Sequence, residues 1–157
     1  MTDGGSPITV VAQSELDDGD PEGDVDLDRW RQLAKAALRA EGVAAGELNL
    51  FFVDAAAMAE LNIEHMGGDG PTDVLAFPID GPTSGAESLP TLLGDVIICP
   101  AVARRYAADN GVEFDDEVAL LVVHGVLHVL GHDHAEPDET VLMKAREQTL
   151  LAAHHRP

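Results

Sequence analysis

Cysteine and long apolar runs are scarce in this 157-residue chain. The single cysteine, Cys99, excludes an intramolecular disulfide and any zinc site built from several cysteines. No apolar run approaches the roughly 18 residues that a membrane span needs. The N-terminus MTDGGSPITVV lacks the basic region and apolar block of a signal peptide. We therefore expect a cytoplasmic protein with no membrane partner.

Positive charge is also scarce, with 9 lysines and arginines against 29 acidic residues and a formal net charge of −20. Binding of nucleic-acid phosphates normally depends on clustered lysine and arginine, so the total charge counts against an RNA or DNA partner. Many of the acids, however, lie in the segment SELDDGDPEGDVDLD, which is typical of a solvated loop. The net charge therefore does not decide the local charge at a functional site.

The chain length and the order of its periodic segments predict one mixed α/β domain across residues 1–157, built on a small sheet. Apolar and periodic segments predict strands at 8–13, 47–54, 74–80 and 92–100 and helices at 26–41, 55–66, 101–111 and over most of the chain after residue 115. We also expect an acidic loop at 14–25, a mobile loop at 81–91 and a frayed C-terminus at 153–157.

The segment HGVLHVLGHDH, residues 124–134, places four histidines and an aspartate in an otherwise apolar run. Asp115 is predicted to cap the helix that leads into it, and apolar residues on all faces predict that this helix is buried. His124 and His128 are one helical turn apart, which places both imidazoles on one face. Gly131 suits the left-handed conformation that ends a helix, and the reversal there can bring His134 beside the pair.

Three converging imidazoles make a site that suits zinc and leaves a fourth position for water. Bound zinc lowers the pKa of water to about 7, or acts as a Lewis acid on a carbonyl or phosphoryl oxygen. The spacing of His124, His128 and His134 is also that of the metzincin proteases, but Gly125 replaces their general-base glutamate. We therefore predict a zincin-like three-histidine metal site and disfavour a peptidase.

Three segments resemble motifs of the YbeY family, bacterial endoribonucleases of ribosomal RNA maturation. HGVLHVLGHDH resembles the family signature H-G-x-L-H-L-x-G-x-D-H. GPTDVLAFP, residues 70–78, resembles P-T-D-V-L-S-F-P, and LLGDVIICPAVA, residues 92–103, resembles the L-G-D-I-x-I-x segment. Their order and spacing fit, and the resemblance extends over roughly residues 47–150.

The resemblance implies an α+β fold in which a small mixed four-stranded sheet packs with about five helices. It implies one Zn²⁺ per chain, held by His124, His128 and His134, which would carry catalysis through a metal-activated water or a ribose hydroxyl. It further implies a zinc-dependent endoribonuclease that cuts single-stranded RNA during 16S rRNA 3′-end maturation and in ribosome quality control. The implied partners are single-stranded rRNA and the small ribosomal subunit, with ribosomal proteins or assembly GTPases as further partners.

One position departs from the family pattern. Many members have an arginine after the L-N-x-x-x stretch, thought to engage RNA phosphate, but here that residue is Met66. A thioether cannot replace a guanidinium in phosphate binding. Either His65, Arg104 or Arg105 supplies the positive charge, or RNA is held in a different way. Arg104 and Arg105 can equally form a solvated helix face.

Four further residues have both a functional and a structural interpretation. Asp133 either accepts a hydrogen bond from a ligand imidazole or satisfies backbone donors in its turn. His132 is either an alternative ligand or a side chain that points to solvent or substrate. Thr72 and Asp73 either fix the turn before a strand or line an RNA groove.

Two other functions remain beside the endoribonuclease. A non-catalytic ribosome assembly factor would hold structural zinc with a fourth protein ligand, for which His132 is the nearby candidate. A metallopeptidase-like hydrolase would cleave protein despite Gly125. Structural zinc sites are closed and catalytic ones open, so the coordination number separates the first of these from the enzyme.

Overall fold

The computed structural model describes residues 8–17, 19–79, 92–131 and 136–155. Within these ranges the chain forms four strands and five helices, in agreement with the predicted α+β class. The strands are β1 (Ile8–Ser14), β2 (Gly46–Phe52), β3 (Val74–Pro78) and β4 (Leu92–Ile98). The helices are α1 (Leu27–Ala40), α2 (Ala55–Met66), α3 (Pro100–Asn110), α4 (Phe114–Val129) and α5 (Pro137–His154).

The strands form one mixed sheet in the order β1-β2-β4-β3. β1, β2 and β4 are parallel, whereas β3 pairs antiparallel with β4. The predicted small mixed sheet is therefore confirmed. β3 is an edge strand, so one of its two sides has no neighbouring strand. It also packs beside α4.

Side chains alternate between two apolar cores, one on each face of the sheet. Leu48, Leu50 and Phe52 of β2 join the larger core, which also contains the buried residues of α1 and α4. On the opposite face, Met58 of α2 packs with Leu75 and other residues in a smaller core. This alternation is what the two-residue period of a strand requires, and it leaves α4 and β3 as neighbours on the larger-core side.

α4 contacts the sheet, α1, α3 and α5, and it is buried on most of its faces as predicted. The prediction that Asp115 caps it is wrong, because the helix begins at Phe114 after the extended residue Glu113. Phe114 packs against the main core. Asp115 lies in the first turn instead, where it binds Arg29 at 2.9 Å.

The packing of α4 on β4 depends on a glycine. A Cβ placed on Gly125 would lie 2.5 Å from Cγ1 of Val96, closer than two carbon atoms can approach without displacement. Valine has a stiff side chain, so it cannot move aside at low cost. A glutamate at this position, as a metzincin has, does not fit this helix–sheet contact.

The loops and the C-terminus differ in part from expectation. β1 continues through Ser14, so the acidic loop starts one residue later than predicted, and the predicted mobile loop at 81–91 lies outside the described residues. The frayed end predicted for 153–157 is not found at 153–155. α5 extends to His154, and the His155 side chain, 4% exposed, has its Nε2 2.8 Å from Oδ1 of Asp116. Residues 156–157 lie outside the described part of the chain.

No helix within the described ranges is both long enough and apolar enough to cross a bilayer.

Candidate active site

The candidate site lies on the one side of α4 that the core does not cover. Leu120, His124 and His128 are partly exposed, whereas nearly all other residues between Glu117 and Val129 are buried. Their spacing of four residues places them along one line of the helix. The sequence therefore folds an apolar helix whose open stripe carries two imidazoles.

The two imidazoles are in contact, as the helical spacing predicts. The ring centroids of His124 and His128 lie 4.6 Å apart, with the ring planes inclined by 67°. At this separation, nitrogens of both rings can reach one ion, and a neutral imidazole is a good zinc ligand. The pair therefore fits two positions of the predicted zinc site.

Glu147 of α5 fixes the ring of His124. Its Oε2 lies 2.6 Å from Nδ1 of His124, and its side chain is 8% exposed against 29% for the histidine. A carboxylate is an acceptor, so Nδ1–H donates this hydrogen bond, and in a neutral ring Nε2 then carries the lone pair that a metal ligand needs. A histidine held in this way by a carboxylate is the usual arrangement of a metal ligand.

The third predicted ligand lies in a part of the chain that the structure does not describe. His132, Asp133 and His134 all fall within residues 132–135, outside the described ranges. Among the described residues, no three His, Cys, Asp or Glu side chains form a group that could hold a metal. Gly131 does have the predicted positive φ, of 101°. The ligand set His124, His128 and His134 thus remains a prediction.

The histidine pair opens into a groove between α4 and the edge strand β3. The groove has a volume of about 260 Å³ and is lined by residues from α2, β3 and its preceding loop, and α4. Val74, Leu75 and Ala76 form the β3 side, and His124 and His128 form the α4 side. The groove therefore leads a ligand to the histidine pair.

A second cavity, here called the side cavity, adjoins the groove at Asp73, Val74 and His124. Its volume is about 450 Å³, and α3, α4 and α5 all contribute to its walls. Glu117 of α4 and Glu147 of α5 are the two buried charged residues of the described chain, and both line this cavity. The cavity therefore combines apolar walls with buried carboxylates.

Burial raises the pKa of the Glu117 carboxyl, and the negative charge of Asp73 raises it further. Glu117 is 4% exposed, so water stabilises its ionised form poorly. A carboxyl perturbed in this way within a cavity is a common feature of functional sites.

Met66 lies at the groove, where the resemblance placed the family arginine, and its side chain is 60% exposed. None of the three suggested substitutes is among the residues that line the groove or the side cavity. His65 contacts the ring of Phe77 edge-on, at a centroid distance of 5.3 Å. The groove of the described chain thus has a thioether at this position.

Arg104 is engaged elsewhere. Its Nε and one terminal nitrogen donate to the two oxygens of Glu22, at 3.1 and 3.0 Å, and its guanidinium lies 3.7 Å from the ring centroid of Phe114. The hydrogen bond to Glu22 also raises the pKa of Arg104. Arg105 is exposed on the same helix. Arg104 therefore ties the acidic loop to α3 and α4.

Asp73 lines both the groove and the side cavity, whereas Thr72 lines neither. The Asp73 carbonyl accepts a 2.9 Å hydrogen bond from the Cys99 N–H, which fixes the start of β3 beside the end of β4. Asp73 thus holds the start of β3 and also lines both cavities. The Oγ1 of Thr72 lies 3.4 Å from Oδ1 of Asp73. A role of either residue in RNA binding stays a prediction.

The two buried glutamates were missed by sequence reasoning, although a signal exists for Glu147. Glu147 interrupts the buried face of α5 that Met143, Leu150 and Leu151 define. Glu117 follows Asp115 and Asp116 directly and precedes the apolar run, so from sequence it resembles a solvated acid of the first helical turn. A charged residue on the apolar face of a helix rarely lacks a specific role, because burial of an unpaired charge is costly.

A family model described as Endoribonuclease YbeY matches residues 15–155. The chain belongs to this family. An Endoribonuclease YbeY of Salinispora tropica is 49% identical over 83% of this chain and 88% of its own length. Another from Thermobifida fusca is 46% identical over 83% of this chain and 87% of its own. The resemblance noted in the three sequence motifs is thereby confirmed.

The fold also matches a solved structure. The solution structure of TM1509 from Thermotoga maritima aligns with 93% of this chain and 90% of its own, at a TM-score of 0.58 and 23% identity. This likeness supports the α+β architecture of the chain.

Proposed function

We propose that this protein is a zinc-dependent endoribonuclease that cuts single-stranded RNA. Its substrate is the 3′ end of 16S rRNA during maturation of the small subunit, and the same activity serves ribosome quality control. The partners are single-stranded rRNA and the small ribosomal subunit, in the cytoplasm. One observation supports the proposal most directly. His124 and His128 are in contact and line the groove, and Glu147 binds His124.

Membership of the YbeY family supports the nuclease part of the proposal, because the curated relatives carry the name Endoribonuclease. The groove supports it as well. It has an exposed residue, Met66, at its edge and the two histidines in its wall, so a ligand from solvent can reach them. The close approach of Gly125 to Val96 supports the exclusion of a peptidase, since the metzincin glutamate has no space there.

In the proposed mechanism, His124, His128 and His134 would hold a zinc ion, which would supply a Lewis acid and a positive charge to phosphodiester cleavage. Residues of α5 and β3 orient the ligand side chains and shape the groove around them. Glu147 accepts a hydrogen bond from Nδ1–H of His124 and so fixes the orientation of the imidazole ring. The apolar β3 residues Val74, Leu75 and Ala76 keep the opposite wall free of competing hydrogen-bond groups on their side chains.

A non-catalytic zinc-containing assembly factor is the second candidate. Met66 at the groove and the net charge of −20 favour it, because both weaken the attraction for RNA phosphate. A metallopeptidase-like hydrolase has no comparable support.

The test is cleavage of a labelled oligoribonucleotide, single-stranded or annealed to its complement, by purified protein. We expect the single strand to be cut, the duplex to resist, and a chelator to stop the reaction until zinc is restored. A His128→Ala protein with less than one-tenth of the wild-type zinc and undiminished cleavage would contradict the proposal, as would protein that holds zinc firmly and cuts no RNA.

A further inference from the structure

The side cavity contains a buried carboxylate, on Glu117, that has no role in the proposed zinc site. Its polar wall includes Glu117, Asp73 and Lys144, and Tyr106 of α3 also contributes to the lining. The remaining wall is largely apolar. Small-molecule sites commonly combine apolar walls with a few polar groups that set orientation.

Glu117 is the decisive residue. It is 4% exposed and lines the cavity. Its carboxylate forms no hydrogen bond or ion pair with any residue in the described ranges. No described side-chain oxygen is both fully buried and without a partner, so the Glu117 oxygens are open to the cavity. A ligand that brings its own donors can therefore bind this carboxylate.

The position of Glu117 relates it to the proposed reaction. Glu117 and His124 are seven residues, or two turns, apart, so they lie on one face about 10 Å apart along the axis of α4. Asp73, Val74 and His124 border both cavities, so one molecule can extend from the groove into the side cavity. A nucleotide with its phosphate at His124 has a base that reaches this far.

The charge of the side cavity selects a base over a phosphate. Asp73, Glu117 and Glu147 are its acidic residues, and Lys144 is its one lysine or arginine among the described residues. Carboxylates repel phosphate oxygens but accept hydrogen bonds from the N–H groups of a base edge.

We propose that the side cavity is a base-recognition subsite for guanine in single-stranded RNA, with Glu117 as the acceptor. Guanine is the one common base with two adjacent donors, N1–H and the N2 amino group, on its Watson–Crick edge. These match the two oxygens of a carboxylate, while Lys144 can donate to O6. Uracil places acceptors on both sides of its single N–H, and adenine and cytosine each place one amino group beside an acceptor.

Tyr106 provides a further contact at this subsite. Tyr106 belongs to the cavity lining and is 49% exposed, so it is accessible to a ligand that enters the cavity. Single-stranded RNA is commonly recognised by hydrogen bonds to base edges combined with stacking on an aromatic ring. The subsite rests on the proposed function for its place in a reaction, but its binding chemistry can be measured separately.

The probe is guanosine 5′-monophosphate, which has no internucleotide bond to cut. Isothermal titration compares it with inosine 5′-monophosphate, which lacks only the N2 amino group, and with adenosine 5′-monophosphate. We expect guanosine monophosphate to bind at least about tenfold more tightly than either, because a bidentate pair contributes about that discrimination. Glu117→Gln should remove most of the difference. Glu113→Gln, which replaces an exposed carboxylate that does not line the cavity, should keep it.

Equal affinities for the guanosine and inosine nucleotides, or a preference that survives Glu117→Gln, would overturn the subsite. So would the absence of any binding by wild-type protein at millimolar nucleotide. Thermal unfolding of Glu117→Gln checks that the variant is folded. Glu117→Asp keeps the negative charge but places the carboxylate one methylene farther from the ligand, so it should also lose the preference for guanosine monophosphate.

The same proteins separate this inference from the proposed nuclease. If guanosine monophosphate is selected through Glu117 but no RNA is cut, the subsite stands and the proposed function fails. If RNA is cut while the three nucleotides bind alike, the proposed function stands and the subsite is overturned.

Discussion

The carboxylate of Glu147 on α5 lies 2.6 Å from Nδ1 of His124 on α4. This contact connects the packing of two helices to the orientation of one imidazole. Because the glutamate side chain is 8% exposed, water competes weakly for the hydrogen bond. The pairing makes the geometry of the proposed metal site depend on a residue 23 positions away in the sequence.

Glu147→Gln tests this connection. The amide oxygen can still accept from Nδ1, but it lacks the negative charge that makes the imidazole a stronger ligand. We expect zinc affinity to fall by about 10- to 100-fold, as is usual when such a partner is replaced. Competition against a chromophoric chelator measures the change. Asp138→Asn, an exposed acid of the same helix, should stay within about twofold of wild type because surface charges contribute little; equal losses in both variants would refute the specific role of Glu147.

Met66→Arg tests the consequence of the missing family arginine. The residue lies at the groove with its side chain exposed, so the guanidinium can reach a bound phosphate. We expect tighter RNA binding and an increase of about one in the slope of log affinity against log salt. Ile63→Arg is the matched control, since Ile63 is an exposed α2 residue that does not line the groove. Equal gains in the two variants would mean that only net charge matters.

Gly125→Ala tests the close packing of α4 on β4. The added Cβ would lie 2.5 Å from Val96 Cγ1, and overpacking of this kind costs about 1–3 kcal/mol. Alanine recovers about 1 kcal/mol of helix propensity, so we expect a net loss of about 1 kcal/mol in the free energy of unfolding. Urea denaturation measures it. In a Val96→Ala background the same change should be neutral or stabilising; an equal loss in both backgrounds would place the strain elsewhere.

Glu117→Gln tests the electrostatic state of the side cavity. Burial and Asp73 hold the pKa of the Glu117 carboxyl above its ordinary value of 4.5. A group whose pKa is higher in the folded state contributes stability that is complete below the unfolded pKa and is lost as the pH rises through the folded pKa. The variant lacks this titration. We therefore expect its free energy of unfolding, relative to wild type, to increase as the pH rises from about 4.5.

The measurement is a series of urea denaturation curves for both proteins across that pH range. The other titratable groups of the cavity, on Asp73, Tyr106, His124, Lys144 and Glu147, are present in both proteins, so their own titrations largely cancel in the difference. A difference that stays constant with pH, or that declines as the pH rises, would contradict the raised pKa.

Local signals in the sequence were sufficient for much of the fold. α2 begins after Asp54, whose side chain caps it, and ends at Gly67 with a φ of 70°, so the predicted bounds 55–66 match the structure. The contact of His124 with His128 followed in the same way from helical spacing alone. Such features are set within a few residues of chain.

Features that depend on distant residues could not be read from local patterns. β3 lies at the sheet edge, antiparallel to β4. This position depends on which strand β3 pairs with, and the composition of β3 itself does not reveal its partner. Arg104 binds Glu22, which is 82 positions away, and does not line the groove, and neither fact could be read from its own segment. The contact of Glu147 with His124 is of the same kind.

The most direct test of the account is the coordination of zinc in the purified full chain, measured by metal analysis and X-ray absorption. We expect about one zinc per chain, three imidazole nitrogens at about 2.0–2.1 Å and one solvent oxygen. His124→Ala, His128→Ala and His134→Ala should each remove most of the metal. A fourth protein ligand, or full zinc content in any of the three variants, would contradict an open three-histidine site.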